Sequence, residues 1–242
     1  MNGNTETWEE VLGDQVFVFR GERDSSDHSK RAIVEIRSTR PLVKRQAAAG
    51  IPPAYRGAVL STWDDSHANP CTREIVQSYV SNPVHSLYLY GEVGRGKTFA
   101  AFTIVNELLQ RGKAVRFQLV NDFLLSLRDS FGAEGVSEKS LLQPLCDVQF
   151  LMLDELGDLA RNHDRTASPF SASRILTLLD SRWRTGKPTI LTSNLSLDEL
   201  ERWTDDPRIA SRIGGMCTVA GVFEIEGRDL RVDAVAEEVS AR

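Results

Sequence analysis

Short, almost unbroken apolar runs recur at Leu87–Tyr90, Phe150–Leu153 and Thr189–Thr192, and a fourth stretch interleaves Val115, Phe117 and Leu119 with Arg116 and Gln118. Runs of this kind are what strands buried on both faces of a parallel sheet require. Between them, apolar positions return every three or four residues, the spacing of helices packed on one side. Phe99, Phe102, Ile104, Val105, Leu108 and Leu109 form one such set, ended by Gly112. A second helix, capped by Asn121 or Asp122, places Phe123, Leu124, Leu127 and Phe131 on one face, and a short one covers Ser137–Cys146. A longer helix over 170–184 turns Ile175, Leu176, Leu179 and Trp183 to the core and stops at Gly186 and Pro188. Ser196 and Glu199 make a capping box with Leu195 and Leu200 as its staple, and Asp206-Pro207 opens a last helix. Strands near 86–90, 115–119, 149–154, 188–193 and 217–225, alternating with helices, predict an α/β fold with a doubly wound, five-stranded parallel sheet and right-handed crossovers.

Ahead of this core the pattern changes. Residues 1–40 read as a small β appendage in which Val16–Phe19 and Ala32–Ile36 pair across a polar hairpin. Residues 41–83 read as a linker with a basic helix stopped by Gly50, an extended Pro52-Pro53 link and a second helix from about Thr72. The α/β core is assigned to 84–231 and a tail to 232–242.

Composition narrows the class. The 242 residues are 41% hydrophobic and 26% charged, values of an ordinary globular chain. A net charge of -5 gives no global signal for nucleic acid, so any DNA contact must rest on a local basic surface or on an assembly. Cys71, Cys146 and Cys217 lie far apart without a C-x-x-C, which suggests neither zinc nor a disulfide framework. No apolar run approaches membrane-spanning length and the first residues are polar, so the expectation is a cytoplasmic protein with no membrane partner.

The chemistry enters at Gly91-Glu92-Val93-Gly94-Arg95-Gly96-Lys97-Thr98, which fits G-x-x-x-x-G-K-[ST] between a strand and a helix. Backbone N–H groups must approach phosphate oxygens closely there, and Gly91, Gly94 and Gly96 lack the Cβ that would prevent it. Lys97 is expected at the β- and γ-phosphates of ATP and Thr98 on Mg²⁺. The run Phe150–Leu153 ends in Asp154 and Glu155 and reads as the Walker B strand: Asp154 to hold the metal, Glu155 to polarise the attacking water. Asn194, at the end of another strand, lands at the same sheet edge, where its amide is suited to the γ-phosphate and the lytic water, the role called sensor 1.

With these motifs in hand, AGIPPAYRGAVLSTW before the loop, VRFQLVNDFLLSLRDSF after it, KPTILTSNLSLDEL around Asn194 and DPRIASRI resemble the AAA+ ATPases of the DnaC/IstB family, helicase loaders and transposition helpers, over roughly residues 42–231. The resemblance implies hydrolysis of ATP at sites shared between subunits of a homo-oligomer. Arg212 would be the arginine given in trans, with Arg208 as the alternative. It implies no separate helical lid. It further implies single-stranded DNA and a replicative helicase as partners; the open alternatives are a helper that binds duplex DNA and recruits a transposase, and an adaptor that binds nucleotide without turnover. DNA contacts lie between strands two and three in this family, which points to Arg116 and Arg128.

Overall fold

A computed structural model describes residues 6–12, 15–21, 31–38, 41–63, 70–131, 137–157, 166–218 and 221–227. The chain opens with a three-stranded antiparallel sheet, β1 (Glu6–Leu12), β2 (Gln15–Gly21) and β3 (Arg31–Ser38), in that order. Two of these strands correspond to the expected hairpin. The third, β1, carries no strand signal, because ETWEEVL is dominated by acids; it is held by Trp8, which lies opposite Phe19 and stacks on it at 5.4 Å. Such cross-strand aromatic pairs stabilise a sheet by a few tenths to about 1 kcal/mol each.

Helices α1 (Leu42–Ala48) and α2 (Pro70–Ser81) precede the second sheet. The segment between them is not an exposed link. Ile51, Ala58 and Trp63 are buried in one apolar cluster with α2 and the helix that follows the phosphate loop. Polar groups fix it there: the buried Gln46 amide donates to Asn106, whose own amide donates to the carbonyls of Tyr55 and Ala58.

The core alternates β4 (Leu87–Tyr90), α3 (Lys97–Gln110), β5 (Val115–Leu119), α4 (Val120–Asp129), α5 (Glu138–Asp147), β6 (Phe150–Leu156), α6 (Pro169–Arg184), β7 (Thr189–Ser193), α7 (Leu197–Thr204), α8 (Pro207–Cys217) and β8 (Val222–Glu224). The five strands pair in parallel in the order β5-β6-β7-β4-β8. Alternating side chains feed two apolar layers: Leu87, Leu89, Phe150, Met152 and Ile190 face α2 and α3, whereas Tyr88, Leu151, Leu153 and Leu191 face α4 to α8. This is the doubly wound sheet the hydrophobic pattern predicts. Residues 228–242, and with them the expected tail and the question of a lid, lie outside the described residues.

Four local expectations are corrected. α4 begins at Val120 with Leu119 at its N-cap position and no side-chain cap, so neither Asn121 nor Asp122 closes it. Cys217 ends α8 instead of opening the last strand, which is confined to 222–224. Phe131 lies beyond the end of α4 and is exposed. Trp183 is 48% exposed, and the buried position beside it belongs to Arg182, which has no exposed surface.

Arg182 acts as a carbonyl clamp. Its guanidinium donates to the carbonyls of Leu145 at 2.7 Å, Val148 at 2.9 Å and Pro188 at 2.6 Å and to the Thr189 hydroxyl at 2.8 Å, joining the end of α6 to the entries of β6 and β7. Burial pulls the guanidinium down to about 10. Removing one member of such a network leaves buried carbonyls without donors and costs about 3–5 kcal/mol. Arg182→Met should therefore lower the melting temperature by roughly 6–20 °C, measured by calorimetry; a shift within about 2 °C would show that the clamp contributes nothing net.

Candidate active site

The carboxyl ends of β4, β6 and β7 converge on a cavity of about 250 Å³ lined by Tyr55, Val93, Gly94, Gly96, Lys97, Thr98, Phe99, Glu155, Thr192, Ser193 and Asn194. Its floor is the loop between β4 and α3. Gly91 has φ +134°, and a Cβ there would sit 2.7 Å from the carbonyl oxygen of Ile225, so the strand that flanks β4 permits no side chain. Gly96, at φ +86°, is the N-cap of α3 and supplies no side-chain acceptor to the first turn. The N–H groups of that turn, with the positive end of the helix dipole, are therefore available to an anion.

Lys97 is buried, and its ammonium donates to the carbonyls of Gly91 at 2.8 Å and Glu92 at 2.6 Å, which wraps the loop around it. Glu92 and Arg95 pair with each other on the outside of the loop, and Arg95 also donates to the Gly227 carbonyl. Their side chains are not among those lining the cavity.

Asp154 lies behind the loop, 4% exposed, and accepts a hydrogen bond from Thr98 at 3.0 Å and another from Thr192. Burial raises its carboxyl above the usual carboxylate range, opposed chiefly by the Thr192 hydroxyl and then by Thr98. A buried carboxylate beside a hydroxyl is a fitting donor pair for a small hard cation such as Mg²⁺.

Glu155 reaches the cavity because the strand breaks its own pattern. The pairing of β6 with β7 runs Leu153 to Leu191 but then Leu156 to Ser193, one residue extra on β6, and Glu155 sits at φ +62°. This bulge turns two consecutive acids toward the same end of the sheet. Thr192 spans it: the Glu155 N–H donates to the Thr192 hydroxyl at 3.1 Å while that hydroxyl donates to Asp154. Asn194 follows, lining the cavity from the position just past β7. Of the residues singled out from the sequence, Val93, Gly94, Gly96, Lys97, Thr98, Glu155 and Asn194 thus meet in one cavity and Asp154 touches it through Thr98.

Arg212 does not line that cavity. From α8 its Nε donates to Asp180 at 2.5 Å, and its guanidinium carbon lies 3.8 Å from the centre of the Trp183 ring. Arg208 folds back on Asp206, the N-cap of its own helix. Sequence reasoning misses four lining residues, Tyr55, Phe99, Thr192 and Ser193. Thr192 stands two positions before Asn194 at the end of a strand, which is a usable signal; Tyr55 gives none, since its place depends on how residues 51–58 pack on α3.

Comparisons with known proteins fit this geometry. A family model described as IstB-like ATP binding protein matches residues 37–235. The replicative helicase loader DnaC of Escherichia coli K12 is 32% identical over 130 residues, 54% of this chain and 50% of that protein. The chain therefore spans about half the length of this relative. A crystal structure of DnaI is similar in fold, with a TM-score of 0.60 at 24% identity, covering 77% of this chain and 100% of that one. A replication initiator DnaA bound to AMPPCP and single-stranded DNA is similar with a TM-score of 0.59 at 21% identity, covering 78% and 56%.

The Thr192 bridge yields a prediction. Thr192→Val keeps the shape but deprives Asp154 of a donor and the Glu155 N–H of its acceptor, a loss worth about 1–3 kcal/mol. Unfolding free energy should fall by that amount, and Mg²⁺-dependent affinity for ATP by roughly tenfold, while Thr192→Ser stays near wild type in both. Denaturant unfolding and nucleotide titration with and without Mg²⁺ measure the two effects.

Proposed function

The chain belongs to the family of IstB-like ATP-binding proteins, and on that premise we propose that it is an ATP-hydrolysing switch that assembles on single-stranded DNA and delivers a hexameric replicative helicase. The observation that carries the reading is the meeting, at one sheet edge, of an anion-binding helix start with two adjacent acids turned the same way by a bulge. A protein that only held nucleotide would need the first and not the second.

In this reading the phosphates of ATP lie on the N–H groups of Gly94, Gly96 and the first turn of α3. Lys97 would exchange its bonds to the Gly91 and Glu92 carbonyls for the β- and γ-phosphate oxygens. Mg²⁺ held by Thr98 and Asp154 would supply neutralisation of charge between those phosphates. Glu155 orients a water for attack in line with the leaving oxygen and takes its proton, and Asn194 hydrogen-bonds the γ-phosphate and that water. Arg212 would act on the nucleotide of a neighbouring copy, since its own cavity is built without it.

The helicase partner is supported by the sequence likeness to the loader DnaC, and single-stranded DNA by the likeness in fold to a DnaA initiator bound to it. A second reading, a helper that grips duplex DNA and recruits a transposase, is prompted by the IstB-like description of the family model.

Two outcomes are expected. Lys97→Ala abolishes nucleotide binding by calorimetry, while Glu155→Gln binds ATP normally and hydrolyses it at least about tenfold more slowly; wild-type turnover in the latter would assign the water to another group. A purified hexameric helicase should be retained by the immobilised protein with ATP and single-stranded DNA. Retention of duplex DNA with no helicase would favour the transposition reading.

A further inference from the structure

The two arginines of α8 are held in different ways. Arg208 grips Asp206 with two edges of its fork, Nε at 2.9 Å and Nη2 at 2.7 Å, and so commits its phosphate-binding geometry to its own helix cap. Arg212 is anchored by Nε alone, to Asp180 of α6. Among the described residues Asp180 is its one hydrogen-bond acceptor, so both terminal amino groups remain to fork an anion. One flat face of the guanidinium is covered by Trp183, also on α6. An arginine on a free surface loses about 2 kcal/mol of rotamer entropy when a ligand fixes it; here that ordering is already done. The support is itself rigid, because Arg182, between the two cradle residues, ties the end of α6 to β6 and β7.

We infer that Asp180 and Trp183 are positioning residues: they form a cradle that presents Arg212 to the γ-phosphate of ATP bound by a second copy of the chain, and the half-exposed Trp183 belongs to that interface. The inference rests on Arg212 acting in trans, as in the proposed function. The occupant is a second copy because Arg212 is not among the residues that line the nucleotide cavity of its own chain. A contact meant to sequester the arginine would use the fork, as Asp206 does with Arg208. The Nε anchor leaves the fork open.

The test compares Trp183→Ala, Trp183→Phe and Asp180→Asn with Arg212→Ala, in steady-state hydrolysis and in binding of a fluorescent ATP analogue. Trp183→Ala should lower kcat by about tenfold with nucleotide affinity within about twofold, in keeping with the cost of a misplaced catalytic group. Trp183→Phe should recover most of the rate, and Asp180→Asn should lose several-fold. Mixing Trp183→Ala with Lys97→Ala should raise activity above the sum of the two, because the first keeps an intact nucleotide site and the second an intact arginine; a merely misfolded variant would not complement. If Arg212→Ala hydrolyses ATP at the wild-type rate, the trans arginine fails and the cradle with it. If Arg212→Ala is inactive while Asp180→Asn and both Trp183 variants match wild type, the cradle alone is wrong. A faster Asp180→Asn would make the contact a brake and overturn the proposal.

Discussion

Two neighbouring residues of a strand point to opposite faces of a sheet, yet Asp154 and Glu155 must both serve one end of one cavity. The extra residue on β6 and the left-handed backbone of Glu155 resolve this conflict. Such a backbone costs of the order of 1–3 kcal/mol and persists only where its surroundings over-determine it. Here they do: Thr192 accepts from the strained residue and donates to the acid before it, Ser193 donates to the Leu156 carbonyl just past it, and both hydroxyls come from β7. The phosphate loop can be correct in every position and still lack Glu155 beside it if this slip is lost.

How much of this is legible in the sequence follows from what each signal measures. Apolar runs report strands buried on both faces, so β4, β6 and β7 are visible, and glycines at fixed spacing report close backbone approach, so the loop is too. The bulge is not, because no residue type marks the place where a ladder gains one member. β1 is invisible since its stability comes from one stacked tryptophan opposite Phe19 and not from alternation. On α6 hydropathy points to the column Ile175, Leu179, Trp183. At about 100° per residue, position 183 lies about 80° away from 175, whereas 182 lies about 20° away, so the buried stripe continues through Leu178 to Arg182. Tryptophan is the natural choice by hydropathy; geometry gives the place to an arginine with enough acceptors around it.

That exchange has consequences for the site. A tryptophan at 182 would bury well but would satisfy none of the carbonyls of Leu145, Val148 and Pro188. Arginine satisfies them and leaves Trp183 on the outer side of the helix, beside α8. One helix turn therefore carries both the interior network that fixes β6 and β7 and the surface pair that fixes Arg212. The interior clamp and the anchoring of Arg212 are assigned to neighbouring residues of α6 by periodicity alone.

The segment ahead of the loop obeys the same economy. Its composition, with Pro52, Pro53 and scattered basic residues, reads as a connection, but the buried amides of Gln46 and Asn106 tie it to the middle of α3. Tyr55 then stacks on Phe102 at 4.3 Å and closes one wall of the cavity. Buried amides of this kind are costly unless every donor and acceptor is met, so they fix position more than they add stability. The wall that Tyr55 provides is thereby registered to the helix whose first turn faces the phosphates. A shift of residues 51–58 along α3 would break the hydrogen bonds that Asn106 makes to Tyr55 and Ala58 together with the one that Gln46 makes to Arg56, so the apolar wall and the anion-binding end of the cavity are set at a fixed separation before any nucleotide arrives.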